Sequence, residues 1–201
     1  MSPLTASTIL LVCYALGCVL PSYYAVKWQT GSDVRDSGTG NPGATNAGRI
    51  LGRRAYVVLA LLDVGKGWLA MQIAQVSGLT YLWLAAAGLA VVAGHLWPAQ
   101  LGFRGGKGMA TAYGVILAVS PLTALLMWPV FGLGFLAMRS AVLGGLQAFL
   151  SAPLLAYFLH LAPVQMGLFV ILAIVVAITH RTNLRAALQR RTADPNPTPS
   201  A

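Results

Sequence analysis

The sequence predicts an all-α polytopic membrane protein of seven transmembrane helices, with the N-terminus outside and the C-terminus cytoplasmic. Three observations lead there. Of 201 residues, 57% are hydrophobic and only 8% are charged, where a soluble domain carries roughly 25% charged residues. Lys, Arg, Asp and Glu are absent from four long stretches, Met1–Val26, Gly67–Phe103, Gly108–Met138 and Ser140–His180. The charges that remain are mostly basic, 13 Lys plus Arg against 4 Asp plus Glu for a net charge of +9, and they gather between those stretches. This composition excludes disorder, a coiled coil and a soluble globule, because too little polar surface exists to cover a water-soluble particle. The basic excess points to membrane lipid rather than to nucleic acid.

A membrane span needs roughly 20 apolar residues. Leu4–Val26 supplies the first. A polar, Gly-rich loop over Gly31–Arg54 follows, and a second helix over Ala55–Val76 ends at the turn Ser77-Gly78-Leu79. Tyr81–Leu101 is the third. Gly108–Met138 is long for one span and short for two, and Ser120-Pro121 lies at its middle, where Pro disfavours a helix interior. The positive-inside rule arbitrates. With a turn at Ser120-Pro121, all 13 basic residues fall on the cytoplasmic side. A single crossing would put Arg139 outside. Helices over Ala141–His160 and Pro163–His180 complete the seven. Residues 1–191 form one domain, and the Pro-rich segment 192–201 reads as a disordered tail. No Lys or Arg precedes the first apolar run, so no cleaved signal is expected. Cys13 and Cys18 share one apolar run and imply neither a metal site nor a disulfide.

The residues able to carry chemistry collect at the cytoplasmic face. In the first loop, glycines including Gly40 and Gly43 let successive amides turn toward one anion. Thr39, Asn41, Thr45 and Asn46 add neutral hydrogen-bonding groups, and Arg49 adds a planar charged fork suited to phosphate. It is no Walker A loop, since Ala44 stands where the Lys belongs. The plain alternative is a flexible linker. A second Gly-rich turn, Gly105-Gly106-Lys107-Gly108, feeds a helix N-terminus, where free amides and the helix dipole favour an anion. Its plain alternative is a tight turn whose charges merely obey the positive-inside rule.

Asp63 and Lys66 stand three apart within the second helix and share a face. They form either a structural ion pair or, through Lys66, part of an anion site. His95 lies near the cytoplasmic end of the third helix, and His180 with Asn183 at the end of the seventh. No metal-ligand spacing, nucleophile elbow or dinucleotide fingerprint occurs, and no metal or cofactor is expected. The residues alone thus describe a membrane protein with two candidate anion cradles.

Four motifs then stand in order: Gly38-Thr39-Gly40-Asn41-Pro42-Gly43-Ala44-Thr45-Asn46, Asp63-x-x-Lys66-Gly67, Gly94-His95-x-x-Pro98 and Gly105-Gly106-Lys107-Gly108-Met109-Ala110-Thr111. Together they closely resemble the bacterial acyl-phosphate-dependent glycerol-3-phosphate acyltransferases of the PlsY type, over about Leu4–Arg185. The resemblance implies a seven-helix, monomeric inner-membrane enzyme with its active site on the cytoplasmic face. It implies transfer of a fatty acyl group from acyl phosphate to the 1-position of sn-glycerol 3-phosphate. The products would be lysophosphatidic acid and inorganic phosphate, the first acylation of phospholipid synthesis.

On that reading Thr39, Asn41, Arg49, Lys107 and His180 carry catalysis. Gly40, Gly43, Thr45, Asn46, Lys66, His95, Gly105, Gly106, Gly108 and Asn183 bind substrate. Two departures from the family pattern stand out. Thr39 replaces the usual Ser but keeps a hydroxyl. Val142-Leu143-Gly144-Gly145 replaces a Ser-x-Gly-Ser run, so only Ser140 offers a hydroxyl there. The rivals are an anion transporter, suited by ionisable groups at depth, and a scaffold protein. No inverted repeat supports the first.

Overall fold

The computed structural model describes residues 2–192, with side chains through Ala186, and it is all-helical over them. The helices are α1 (Pro3–Cys18), α2 (Pro21–Thr30), α3 (Ala44–Leu51), α4 (Arg53–Val76) and α5 (Tyr81–Leu96). They continue as α6 (Met109–Val119), α7 (Pro121–Met138), α8 (Ala141–Phe158), α9 (Pro163–Thr179) and α10 (Arg181–Thr192). Among the described residues, five segments are long and apolar enough to cross a membrane: Pro3–Thr30, α4, Tyr81–Leu101, α7 and α8. The apolar helices α6 and α9 have 11 and 17 residues, so they extend about 16 and 25 Å. The tail expected over 192–201 lies, beyond Thr192, outside the described residues.

Several boundaries differ from expectation, each for a backbone reason. The first apolar run is not one helix. Val19 and Leu20 are extended, and Pro21 opens α2, because Pro lacks an N–H and pushes its predecessor out of the helical region. The third helix stops at Leu96 rather than Leu101, with Pro98 two residues beyond and a 3-10 turn over Ala99–Leu101. The Gly31–Arg54 segment is not wholly a loop. It holds a 3-10 turn over Val34–Asp36 and then α3. The break at Ser120-Pro121 does occur, and the Ser120 hydroxyl caps α7 by accepting from Thr123 N at 3.3 Å.

Helices meet backbone to backbone through small residues, as membrane helices do. A methyl group on Gly94 of α5 would lie 2.1 Å from Tyr14 O of α1. One on Gly114 of α6 would lie 2.0 Å from Val64 O of α4. Around these contacts the larger of two cores forms, including Cys13, Met71, Val91, Val115, Ile116, Phe149, Phe169 and Val176. Leu61, Leu69, Leu125, Leu133, Leu154 and Ile174 face outward, where lipid tails take the place of a partner helix. A smaller core of Val26, Val34, Ala44, Ala47 and Leu59 seats the 31–52 segment against α4. That second core gives the polar segment a fixed position.

Candidate active site

The 31–52 segment is folded around one amide. Asn46, completely buried on α3, donates from Nδ2 to Val34 O and Ser37 O, both at 2.9 Å, and accepts at Oδ1 from Thr39 N at 2.9 Å. Gly38 passes directly over it with φ +61°, and a Cβ there would stand 2.3 Å from Asn46 Oδ1. Asn46 therefore builds the cradle and has no free group for substrate.

A second pin is Arg35. Its guanidinium grips the Asp33 carboxylate with Nη2 at 2.7 Å, donates from Nη1 to Leu101 O at 2.9 Å, and lies 5.5 Å from the Tyr23 ring centre. Beside it, the Asp33 carboxyl is held below the usual carboxylate range. So fixed, the segment presents Thr39, Thr45 and Arg49 outward, with Asn41 half-buried beside Gly43. Thr45 and Arg49 are four residues apart on α3 and share its exposed face.

The second Gly-rich turn is closed differently than expected. Gly105 N donates to Leu96 O at 2.9 Å and Gly106 N to His95 O at 3.0 Å. These amides complete the end of α5 and are not available to an anion. The glycines are required by contact: a Cβ on Gly105 would lie 2.1 Å from His95 O, and one on Gly106 2.2 Å from His95 Nε2. Gly108, with φ +80°, turns the chain into α6, whose first amides remain free of intrahelical partners.

Lys107 leaves this turn half-buried, and burial holds its ammonium pKa below the usual lysine value. Its Nζ donates to Asn183 Oδ1, and its carbonyl accepts from Thr179 Oγ1 at 2.8 Å. His180, buried next to them, places Nδ1 2.9 Å from Val176 O. That bond puts the proton on Nδ1 and leaves Nε2 as the acceptor. An open groove of about 590 Å³ lies where the two polar segments meet, walled by Asp33, Arg35 and Gly40 on one side and Leu101, Arg104 and Gly105 on the other.

The chain matches the family model for glycerol-3-phosphate acyltransferase over residues 7–190. The chain belongs to the glycerol-3-phosphate acyltransferase family. Glycerol-3-phosphate acyltransferase 1 of Desulfitobacterium hafniense is 40% identical over 90% of each chain. The enzyme of Geobacter sulfurreducens is 38% identical over 87% of this chain and 89% of its own. Two crystal structures of PlsY, an integral membrane glycerol 3-phosphate acyltransferase, share the fold. Its glycerol 3-phosphate form has TM-score 0.87 at 34% identity, covering 93% of this chain and 94% of that one. Its lysophosphatidic acid form has TM-score 0.84 at 33% identity, covering 93% of both. The protein is thus an acyltransferase enzyme of the membrane.

Within this acyltransferase the sequence-derived residues separate into groups. Lys107, Asn183 and His180 come together where α6 begins and α9 ends, and Thr39, Asn41, Thr45 and Arg49 stay open to an incoming ligand. Gly40 and Gly105 share the groove. Lys66 and His95 do not reach it. Both are buried, and the Lys66 ammonium is taken up by Gly17 O at 3.1 Å, Val19 O at 2.7 Å, His95 Nδ1 at 2.8 Å and Asp63 Oδ1 at 2.8 Å. Its three protons meet three hydrogen-bond acceptors, Gly17 O, Val19 O and His95 Nδ1, with the Asp63 carboxylate as counter-ion.

Lys66 and His95, together with Asn46 and the amides of Gly105 and Gly106, are thus engaged by partners within the fold. Ser140 caps α8 by accepting from Leu143 N at 3.4 Å, which leaves its O–H free to donate. A Cβ on Gly145 would lie 2.8 Å from the Met109 sulfur. Sequence reasoning missed Thr179 and the Arg35–Asp33 clamp. The i, i+2 pairing of opposite charges and the hydroxyl beside His180 were the available signals.

Proposed function

We propose that the enzyme transfers a fatty acyl group from acyl phosphate to the 1-hydroxyl of sn-glycerol 3-phosphate. The products are lysophosphatidic acid and inorganic phosphate, and the step opens phospholipid synthesis. The observation that carries this reading is the Lys107 ammonium held against Asn183 and beside His180 at the end of the second Gly-rich turn. It supplies a pre-set cation for a phosphate, while Thr39, Asn41, Thr45 and Arg49 supply further donors from the first cradle. The related PlsY structures are of a glycerol 3-phosphate form and a lysophosphatidic acid form. That pairing supports glycerol 3-phosphate as acceptor and its monoacyl ester as product here.

Acyl phosphate is already an activated mixed anhydride, so no covalent enzyme intermediate is needed. The glycerol 1-oxygen attacks the acyl carbon and the C–O bond to phosphate breaks. Inorganic phosphate leaves with the bonding pair, and the hydroxyl proton passes to a phosphate oxygen. A phosphate monoester has its second pKa near ~6, so the substrates hold a base of their own. His180, with Nε2 unprotonated, orients the acceptor by accepting a hydrogen bond from glycerol 3-phosphate. The protein's part is to hold two anions in line and to neutralise the leaving phosphate.

The enzyme works as a monomer in the bacterial inner membrane, with seven crossings, its N-terminus outside and its active site on the cytoplasmic face. The ionisable groups that would suit a transporter, Asp63, Lys66 and His95, lie within ion-pair distance of one another, and Lys66 is hydrogen-bonded to His95.

Phosphate release by purified protein in detergent tests the reaction, with palmitoyl phosphate in the presence and absence of glycerol 3-phosphate and a parallel acyl-CoA arm. Release that depends on both substrates and forms lysophosphatidic acid is expected. Activity from acyl-CoA alone overturns the donor, and silence of folded protein in every arm overturns the reaction.

A further inference from the structure

We propose that Asp63, Lys66 and His95 are positioning residues that fix the turn carrying Lys107, a role separate from binding substrate. Asp63 and Lys66 of α4 and His95 of α5 form one buried cluster, with His95 Nδ1 3.3 Å from Asp63 Oδ1 and 2.8 Å from Lys66 Nζ. The cluster reaches in two directions. Lys66 bonds Gly17 O and Val19 O, the carbonyls set free where α1 breaks before Pro21. Gln100 closes Cys18 O between them. In the other direction His95 is the floor of the catalytic turn. Its carbonyl receives Gly106 N at 3.0 Å, and its ring edge at Nε2 lies so near Gly106 that no side chain fits between them.

Lys107 is the next residue. Any rotation of the His95 ring or shift of the end of α5 must therefore move Lys107. At the ring's opposite edge Nδ1 meets Lys66 Nζ at 2.8 Å, with Asp63 Oδ1 3.3 Å away, so the pair sets the ring's orientation. The result is one continuous body from the α1 break, through α4 and α5, to the Lys107 turn.

Stability alone is a poor reason for such a cluster. Apolar residues of similar volume often replace a buried ion pair with no loss of stability, or with a gain. Position is a better reason, because a misplacement of about 1 Å at a reacting group costs about a hundredfold in rate.

The inference rests on the reading of Lys107 as a phosphate ligand, so its test has one readout that needs no turnover. Full-length wild type, His95→Gln and the double variant Asp63→Leu/Lys66→Met are purified in detergent. Thermal unfolding, steady-state kinetics with palmitoyl phosphate and glycerol 3-phosphate, and amide hydrogen exchange are measured for each. His95→Gln is expected to unfold near the wild-type temperature and the double variant, which also frees Gly17 O and Val19 O, somewhat lower, in both with faster exchange concentrated in the peptide containing Gly105 and Gly106. The kcat should fall about a hundredfold, while KM for glycerol 3-phosphate stays within about threefold. Unchanged kcat with unchanged exchange overturns the proposal. So does faster exchange throughout the protein with a matching fall in unfolding temperature, which marks a structural role only. If the wild type itself is silent, the reaction assignment has failed, and exchange at Gly105 and Gly106 still decides whether the cluster holds the turn.

Discussion

At the scale of single residues, the site separates side chains that build it from side chains that meet the ligand. Asn46 is a builder, with all its capacity committed to Val34 O, Ser37 O and Thr39 N. Replacing it with Ala leaves two carbonyls and an amide to find water, at about 1–3 kcal/mol for each group that stays buried and unpaired. Asn46→Ala should lose activity together with the shape of the first cradle, seen as a lower unfolding temperature in detergent. Arg49→Ala should lose activity with an unchanged unfolding temperature, because Arg49 is exposed on α3.

Lys107 meets the ligand. Burial lowers its pKa in the free enzyme, so the cation is present at low pH and is lost as pH rises through that lowered value. The kcat/KM profile, which reports free enzyme, should therefore fall on its alkaline side below the usual lysine value of about 10.4. A bound phosphate favours the cation and should move the corresponding limb of kcat upward. Lys107→Arg should remove the limb from both profiles. A limb that survives in Lys107→Arg assigns it to another group.

At the scale of helices, legibility depended on whether the signal was local. The stop at Ser120-Pro121 could be read because Pro forbids the hydrogen bond it would have to make. The same rule applied at Pro21 would have divided the first span, but an uninterrupted apolar run hid it. The helix α3 was obscured by Gly48 within it and by Gly43 and Gly52 at its ends, although Ala44, Ala47 and Leu51 already mark a packing face. Roles set by distant partners were not legible in the sequence. Nothing near Lys66 announces that Gly17 and Val19 will need its protons, and nothing near Gly106 announces that a histidine ring will lie under it.

The helix contacts themselves make a testable contrast. Gly114→Ala puts a methyl group 2.0 Å from Val64 O, whereas Gly65→Ala on α4 meets nothing within 4 Å. The first should destabilise by about 1–3 kcal/mol or more through overpacking. The second should stabilise by about 0.5–1 kcal/mol, as Ala does over Gly within a helix. Equal unfolding temperatures for the two variants would show that α4 and α6 separate without cost.

At the scale of the whole molecule, the arrangement of charge and helix length gives a specific topology to test. A seven-crossing chain would place all 13 basic residues on one side, with Lys66 turned inward to its own cluster. The weak link is α6, whose 11 residues cover about 16 Å, roughly half of a ~30 Å hydrocarbon core. One end of α6 must therefore be recessed, and the turn at Ser120 must still reach the outer side if α7 is to return Arg139 to the cytoplasm. Single cysteines at Ser2, Leu122 and Arg185, in a background lacking Cys13 and Cys18, decide this with a membrane-impermeant maleimide. Ser2→Cys and Leu122→Cys should react in intact cells, and Arg185→Cys only after lysis. A Leu122→Cys that reacts only after lysis would make α6 and α7 a re-entrant pair and leave five crossings, with Arg139 still on the cytoplasmic side, so the labelling separates two topologies that both satisfy the positive-inside rule.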